Sequence, residues 1–444
     1  MAKIYPFRGI RYDPKKVGSL DSVVTRQVDR IDSHLQEEYH HRSDFNFVKL
    51  IKGKTNPDDT ETRNQYTRAA HRLAEWLAEG ILVRDEKPCM YVYHVEYALE
   101  KGPPRLRKGY IALAGLDECG PGIGPPEIVP PRPRQDSLHL MRATGAQFEQ
   151  VFVLYPDREN AVQDILDKAR TGEPDMQAHD DLGNLHRVWA ISDPDVLRET
   201  RGLMEKKRLF ISEGHHRCET SLEYRKEMLE RGAKCEGNEN FNNHPVVFVN
   251  FFDEGLTILP THRVCCGVGD LEQKKFFQTA GNTFLIEEIP FGRYEDEGLS
   301  ELLERMEKQK KRHSFGLYIK GEKIFHMLSL AREETVDDLV GPGHSKDWKR
   351  LDVTILHKIL FEKILGIVPE QAEKEGAIRY VRGAAEAVHQ VDTGKCELAF
   401  LLNPISAEQM ERIAQAGERM PEKSVDFYPK ILSSLVMNKL NFVR

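Results

Sequence analysis

The pentapeptide Glu213-Gly214-His215-His216-Arg217 follows the apolar run Leu209-Phe210-Ile211 and precedes a stretch, Cys218 to Arg231, that reads as a helix. A strand that passes through glycine, two histidines and an arginine into a helix start is suited to holding an anion. The first backbone N–H groups of a helix lack internal partners, and the macrodipole adds partial positive charge there. Glycine lets the backbone approach a ligand closely, and arginine offers a planar fork for phosphate or carboxylate. Phosphate chemistry is therefore expected, with Gly214, His215, His216 and Arg217 as its binding residues. The plainer alternative is a helix start that binds only water.

Two further stretches fit the same chemistry. Thr261-His262-Arg263 follows Ile258-Leu259, and a second His–Arg pair near a strand end could neutralise charge on a transferring phosphoryl group. Alternatively these residues close a hairpin. Between Met420 and Lys430, Lys423, Ser424 and Lys430 could hold phosphate while Phe427 and Tyr428 wall a pocket. The alternative there is a turn with exposed lysines. The phosphate reading needs residues 213–217, 261–263 and 423–430 around one pocket. A phosphotransferase also needs a base near the acceptor hydroxyl, for which Glu213 and Asp29 are the candidates, with His216 beside them in a catalytic role. Glu213 could instead only cap the helix that follows.

Several chemistries are excluded by spacing. No GxxxxGK[ST] loop occurs, and no HRD and DFG pair. HExxH is absent, and His215 and His216 point about 100° apart on a helix, so they do not share a metal. No protein-built metal site is expected. Mg2+ bridging phosphates through a carboxylate is the expected metal.

The elements that position these residues alternate along the chain. Helix 62–79 places Ala69, Ala70, Leu73, Trp76 and Leu77 at helical spacing, and Gly80 ends it before the strand Ile81-Leu82-Val83. Tyr91, Tyr93, Val95 and Tyr97 form one face of a strand that returns as Tyr110 to Leu116. Residues 119–134, rich in Pro and Gly, read as a loop of the kind that serves as a lid or a binding loop. Strands are expected at 151–154, 186–191 and 246–252, helices at 159–170 and 194–207, and a polar loop at 171–185. Beyond residue 268, helices 270–279, 294–311, 349–365, 383–391 and 406–417 alternate with strands 283–288, 314–320, 323–330 and 396–402. The fold class is α+β, with hairpins among crossover helices. Three domains are expected: an N-terminal α+β domain (1–145), a core domain with the Gly-His-His-Arg site (146–268), and a C-terminal α/β domain that completes the pocket (269–444).

Composition narrows the class. The 444 residues are 30% charged and 40% hydrophobic, with net charge -7, which leaves no electrostatic footprint for nucleic acid. No apolar stretch is long enough to span a bilayer, and the N-terminus lacks the apolar core of a signal peptide. Seven cysteines without a CxxC pair read as inert free thiols in a reducing cytoplasm.

With these motifs assembled, the chain resembles the family called domain of unknown function 1015, related to free-serine kinases with a ParB- and sulfiredoxin-like core. The matching blocks are Pro6 to Tyr12, Lys108 to Ala112, Leu140 to Thr144, Glu213 to Arg217, Leu259 to Arg263, Met420 to Ser424 and Phe427 to Lys430. The resemblance implies phosphoryl transfer to a small-molecule hydroxyl, free serine or a related compound, from ATP, ADP or pyrophosphate. It implies that the Gly-His-His-Arg turn binds phosphate and that Arg142, Thr144 and Tyr428 touch substrate. The chain also departs from the family. Where relatives carry Pro-Pro-Tyr-Asp-Val-Ile, this sequence keeps only Asp29 and Ile31 within Thr25 to Ile31, so either Arg26 or Arg30 contacts an altered, anionic acceptor or the segment has drifted with loss of the activity. The Pro-His-Glu-x-Thr of relatives is replaced across Pro130 to Leu138, their aspartate before Gly-His-His-Arg is Glu213, and their Lys-Ser-Thr is Lys423-Ser424-Val425. These changes open a second reading, a catalytically silent anion- or nucleotide-binding regulator. A third, a ParB-like nucleic-acid-associated factor, rests on helix 62–79 with its following strand, which resembles half a winged helix. The acidic balance opposes it. A small-molecule partner, no membrane and a possible homo-oligomer complete the expectations.

Overall fold

Alternating residues in the Tyr-rich hairpin build the centre of a large sheet. In the computed structural model, which describes residues 2–99, 102–119, 135–269, 272–292, 295–421 and 423–443, the chain divides into two compact units. The first takes the described residues up to Thr257 and from Pro429 onward, and the second takes Ile258–Tyr428. The fold is mixed α+β. The expected lid at 119–134 lies almost wholly outside the described residues, as does most of the altered block 130–138. No helix among the described residues is long and apolar enough to cross a membrane.

The first unit holds an eight-stranded sheet: β1 (Ile4–Tyr5), β2 (Met90–Tyr97), β3 (Arg105–Gly115), β4 (Val151–Tyr155), β5 (Met176–His179), β6 (Leu185–Ile191), β7 (Phe210–Glu213) and β8 (Asn243–Asn250). The order is β7-β4-β8-β3-β2-β6-β5, with β1 paired to β3, and among the described residues only β4 and β8 run parallel. Because side chains alternate along a strand, the register divides the sheet into two faces. One carries Val92, Tyr110, Ala112, Val153, Val246 and Phe248, all in the main apolar core. The other carries Tyr91, Tyr93, Arg107, Phe152 and Glu213, so the tyrosine stripe is indeed a single face.

Longer helices complete the unit, three of them joining the main apolar core through Val162, Leu166, Leu197, Met204 and Cys218. They are α1 (Ser33–Arg42), α2 (Gln65–Ala78), α3 (Gln135–Thr144), α4 (Ala161–Ala169), α5 (Pro194–Met204) and α6 (His215–Glu230). Asn64 starts α2 with a capping box, its side chain accepting from Tyr66 and Thr67 while the Thr67 hydroxyl accepts from the Asn64 N–H. Ala69, Leu73 and Trp76 then bury one face. Asp193 caps α5, and Pro194 sits in its first turn, where its missing N–H costs nothing.

The second unit is built on a six-stranded antiparallel sheet. Its strands are β9 (His262–Cys265), β10 (Phe284–Pro290), β11 (Ser314–Ile319), β12 (Ile324–Leu330), β13 (Ile378–Val381) and β14 (Leu398–Leu401). They lie in the order β10-β12-β11-β14-β9-β13. Leu302, Met306, Phe325, Met327 and Leu401 are among its core residues.

Four expectations are corrected. The polar stretch 171–185 contains strand β5, an edge strand that pairs with β6. Its Met176 and Ala178 are buried while Gln177 and His179 are exposed, too short an alternation to stand out in the sequence. The helix after the anion motif starts at His215, three residues before Cys218, because Gly214 supplies the turn. Residues 261–263 do not close a hairpin: β9 pairs with β13 and β14. Finally, the seven cysteines are not all free. Cys266 and Cys396 form a disulfide 130 residues apart in sequence, joining the ends of neighbouring strands β9 and β14, while Cys89, Cys218, Cys235 and Cys265 are free.

Candidate functional site

Gly214 has φ +96°, a conformation that L side chains rarely adopt, and it lets β7 turn sharply into α6. A Cβ there would come within 3.1 Å of Arg217 Nη1 and 3.3 Å of Val151 Cα. The glycine therefore brings the start of α6 tightly against β4 and fixes where Arg217 points. The Arg217 guanidinium donates from Nε to Glu149 Oε2 at 3.2 Å and from Nη1 to the Gln150 carbonyl at 2.9 Å, and its Nη2 lies 3.9 Å from Asp29 Oδ1. Burial works against its charge, but Glu149 and Asp29 outweigh that, so its pKa is raised.

These groups line one cavity of about 560 Å3. Its walls come from Val28 and Asp29, residues 50–55, the beginning of α2, helix α3, residues 146–149, and Arg217, Thr220 and His244. Asp29, Glu37, Asp136 and Glu149 face Lys52, Lys54 and Arg217, so the lining has no surplus of positive charge. The cations are engaged: Lys54 pairs with Glu37, and Lys52 donates to the Ile31 carbonyl. Asp136 accepts from Tyr66 Oη at 2.6 Å. Burial, reinforced by Arg217, pushes His244 down to about 3, so its ring is neutral. Its Nε2 faces the Glu149 carbonyl at 3.1 Å and its Nδ1 the Ser221 hydroxyl at 2.8 Å, which fixes Nδ1 as the acceptor.

Most of the remaining candidates of the first unit lie on or beside α6. Glu213 ends β7 and is ion-paired with Lys430, which the sequence places more than 200 residues away. His215 opens the helix, and His216 Nδ1 lies 3.1 Å from Glu219 Oε2. Of the pentapeptide, only Arg217 lines the cavity. Arg26 pairs with Asp181 at 3.2 Å and does not line it. Arg142, on α3, pairs with Glu227 of α6 and ties those two helices together. Thr144 hydrogen-bonds the Leu140 carbonyl and the Ala146 N–H at the end of α3.

Thr261, His262, Arg263, Lys423, Ser424 and Tyr428 belong to the second unit. Arg263 is buried and donates to the carbonyls of Thr261 and Lys423, the latter at 3.0 Å, with its guanidinium 5.2 Å from the Tyr380 ring centre. Burial, with Arg263 adjacent, pushes His262 down to about 4, and its Nδ1 accepts from the Leu402 N–H at 3.2 Å. It is therefore neutral at pH 7. Ser424 bonds the Pro421 carbonyl, and Tyr428 ends a short strand, Asp426–Tyr428. The structure thus brings together Asp29 with Arg217 and Glu213 with Lys430 in the first unit, and Arg263 with Lys423 in the second.

Sequence reading missed Glu149, His244, Lys52, Tyr66 and Asp136. Glu149 sits just before β4 in a Gln-Phe-Glu-Gln stretch with no motif, and nothing local marks it as the partner of Arg217. For Mg2+, among the described residues no group of three or more His, Cys, Asp or Glu side chains could hold a metal ion.

No curated protein matches the sequence. A conserved hypothetical protein from Pyrococcus furiosus is similar in structure, with 14% identity, 75% of this chain and 94% of that chain covered, and a TM-score of 0.33. A free serine kinase variant solved with AMP gives 14% identity, 78% and 94% coverage and a TM-score of 0.34. A C-terminally truncated SbnI from Staphylococcus aureus gives 11% identity, 73% and 86% coverage and a TM-score of 0.33. A family model described as protein of unknown function (DUF1015) matches residues 4–354, and the chain belongs to that family.

Proposed function

We propose that this protein is a phosphotransferase that moves a phosphoryl group from ATP, ADP or pyrophosphate to the hydroxyl of a small molecule, free serine or a related hydroxy compound. The observation that carries the proposal is the meeting of Asp29 and Arg217, 3.9 Å apart, on the wall of one cavity. A volume of about 560 Å3 suits a small ligand. The mixed lining, in which carboxylates match or exceed cations, suits an acceptor carrying an ammonium group better than a polyphosphate. The cavity is accordingly the acceptor side, and the phosphates belong at the start of α6, where backbone N–H groups and Lys430 gather.

In this reading the acceptor oxygen attacks the terminal phosphorus as its proton passes to the Asp29 carboxylate. The bond from phosphorus to the bridging oxygen breaks, and the leaving phosphate keeps the electron pair. Arg217 and Lys430 offset the charge that builds on the transferring group. Glu213 is a positioning residue that holds Lys430. Among the described residues no cluster of three or more His, Cys, Asp or Glu side chains could hold a metal ion, so Mg2+ would arrive with the donor phosphates and meet a single carboxylate.

A silent anion-binding protein is the second reading. It is supported by the engagement of Arg217 with Glu149, Gln150 and Asp29, which leaves the guanidinium well satisfied without a ligand. A panel separates the two: each donor is incubated with serine, other hydroxyl amino acids and acidic hydroxy compounds, and 31P NMR follows the products. A new phosphomonoester supports transfer. Binding of pyrophosphate without turnover for any pair favours the second reading.

A further inference from the structure

Arg107 lies on β3 with 2% of its surface exposed, among the largest fully buried side chains of the protein. A guanidinium cannot shed its charge in a protein, so burial has to be matched by acceptors or a counter-ion. Its Nη1 donates to the Pro429 carbonyl. Its Nη2 is buried with no hydrogen-bond partner, and no carboxylate ion-pairs with it among the described residues. The carboxylates that act on it electrostatically, Glu213 and Asp253, are both engaged. Glu213 holds Lys430, and Asp253 accepts the N–H groups of Lys108 at 3.2 Å and Gly255 at 3.1 Å.

The surroundings connect this orphan charge to the start of α6. The guanidinium stands 5.4 Å from the centre of the Phe152 ring, and Phe152 is the register partner of Glu213, the residue before Gly214. The acceptor of Nη1, Pro429, directly precedes Lys430, whose ammonium rests on Glu213. Arg107, Phe152 and Glu213 share the sheet face opposite the main apolar core. A helix N-terminus, a lysine and an unsatisfied buried arginine are thus linked through neighbouring residues.

We infer that Arg107 is an anion-holding residue of the phosphate site, taking a phosphate oxygen of pyrophosphate or of a nucleoside diphosphate on Nη2. This rests on the proposal that phosphate binds at the start of α6. The test uses the full chain, with pyrophosphate and ADP titrated separately by calorimetry into wild type, Arg107→Lys and Arg107→Met. Arg107→Met should weaken pyrophosphate at least tenfold, and Arg107→Lys less. Equal loss for both ligands assigns the shared phosphate. Loss for ADP alone, with pyrophosphate unchanged, overturns the assignment to a phosphate oxygen. A crystal of the wild-type protein soaked in pyrophosphate covers the case in which Arg107→Met does not fold: a phosphate oxygen should lie about 3 Å from Arg107 Nη2. Pyrophosphate bound without touching Arg107, or unchanged affinity in folded Arg107→Met, overturns the inference while leaving the phosphotransferase reading intact. Failure of the wild-type protein to bind pyrophosphate, ADP and ATP alike removes both.

Discussion

Replacing Glu149 by alanine probes the candidate site where its energetics are most exposed. Glu149 and Arg217 are 13% and 14% exposed in their side chains, so the pair is largely shielded from water. Besides Arg217, Glu149 Oε1 accepts from the Val28 N–H at 2.9 Å and the Ser433 hydroxyl at 2.7 Å. Breaking a buried pair costs about 3–5 kcal/mol, because the surviving charge stays buried. Asp29 at 3.9 Å compensates part of that, which puts the ionic cost near about 3 kcal/mol. The two lost hydrogen bonds add about 1 kcal/mol each, for about 5 kcal/mol in all. Arg217→Met should cost less, about 2–3 kcal/mol, since Glu149 keeps two donors. In the double variant no charge is orphaned, so its cost should fall below the sum of the singles by about 2–3 kcal/mol. Urea unfolding followed by tryptophan fluorescence reads these values. A Trp348→Phe background confines the signal to Trp76 and Trp189 of the first unit. Single losses below about 1 kcal/mol, or strict additivity, would refute the pair as an anchor of the cavity.

Gly214→Ala forces a β-carbon into a left-handed backbone and against Arg217 and Val151, and should cost about 1–3 kcal/mol in urea unfolding together with a loss of pyrophosphate affinity. His244 is held down to about 3 in the fold against an ordinary 6.5. The unfolded chain therefore takes up its proton first as pH falls, and stability present above about pH 6.5 is lost towards pH 3, by at most about 1.4 kcal/mol per pH unit. His244→Gln should flatten that part of the stability–pH curve for the first unit, and an unchanged slope would show that His244 is not the group responsible.

Local signals are legible in the sequence, and long-range pairing is not. Helix 62–79 appears as Gln65–Ala78 because its apolar spacing, the Asn64 cap and Gly80 agree with one another. The strand–glycine–helix turn at residues 209–217 was visible for the same reason, since Gly214 is the kind of residue its φ requires. The cavity could not be read in this way. Its walls come from stretches near residues 28, 52, 66, 136, 149, 217 and 244, brought together only by the fold. Residues 429–444 return to the first unit through contacts such as Ser433 with Glu149 and Gln150 with the Val436 carbonyl, which have no counterpart in local sequence. The Cys266–Cys396 disulfide escaped for the same reason. Arg107 escaped because its significance lies in the partner it lacks, which no sequence pattern displays.

The most direct test of the central claim is the rate of phosphoryl transfer to serine, or to the best hydroxyl acceptor of the panel, for wild type and Asp29→Asn, with acceptor affinity measured in parallel. Asp29 lines the cavity beside Arg217, and the substitution keeps its shape while removing its basicity. The account predicts that kcat falls by roughly 100- to 10,000-fold, the usual contribution of a general base, while acceptor affinity changes little. Turnover by Asp29→Asn at the wild-type rate would contradict it, as would the absence of transfer by the wild-type protein with every donor and acceptor.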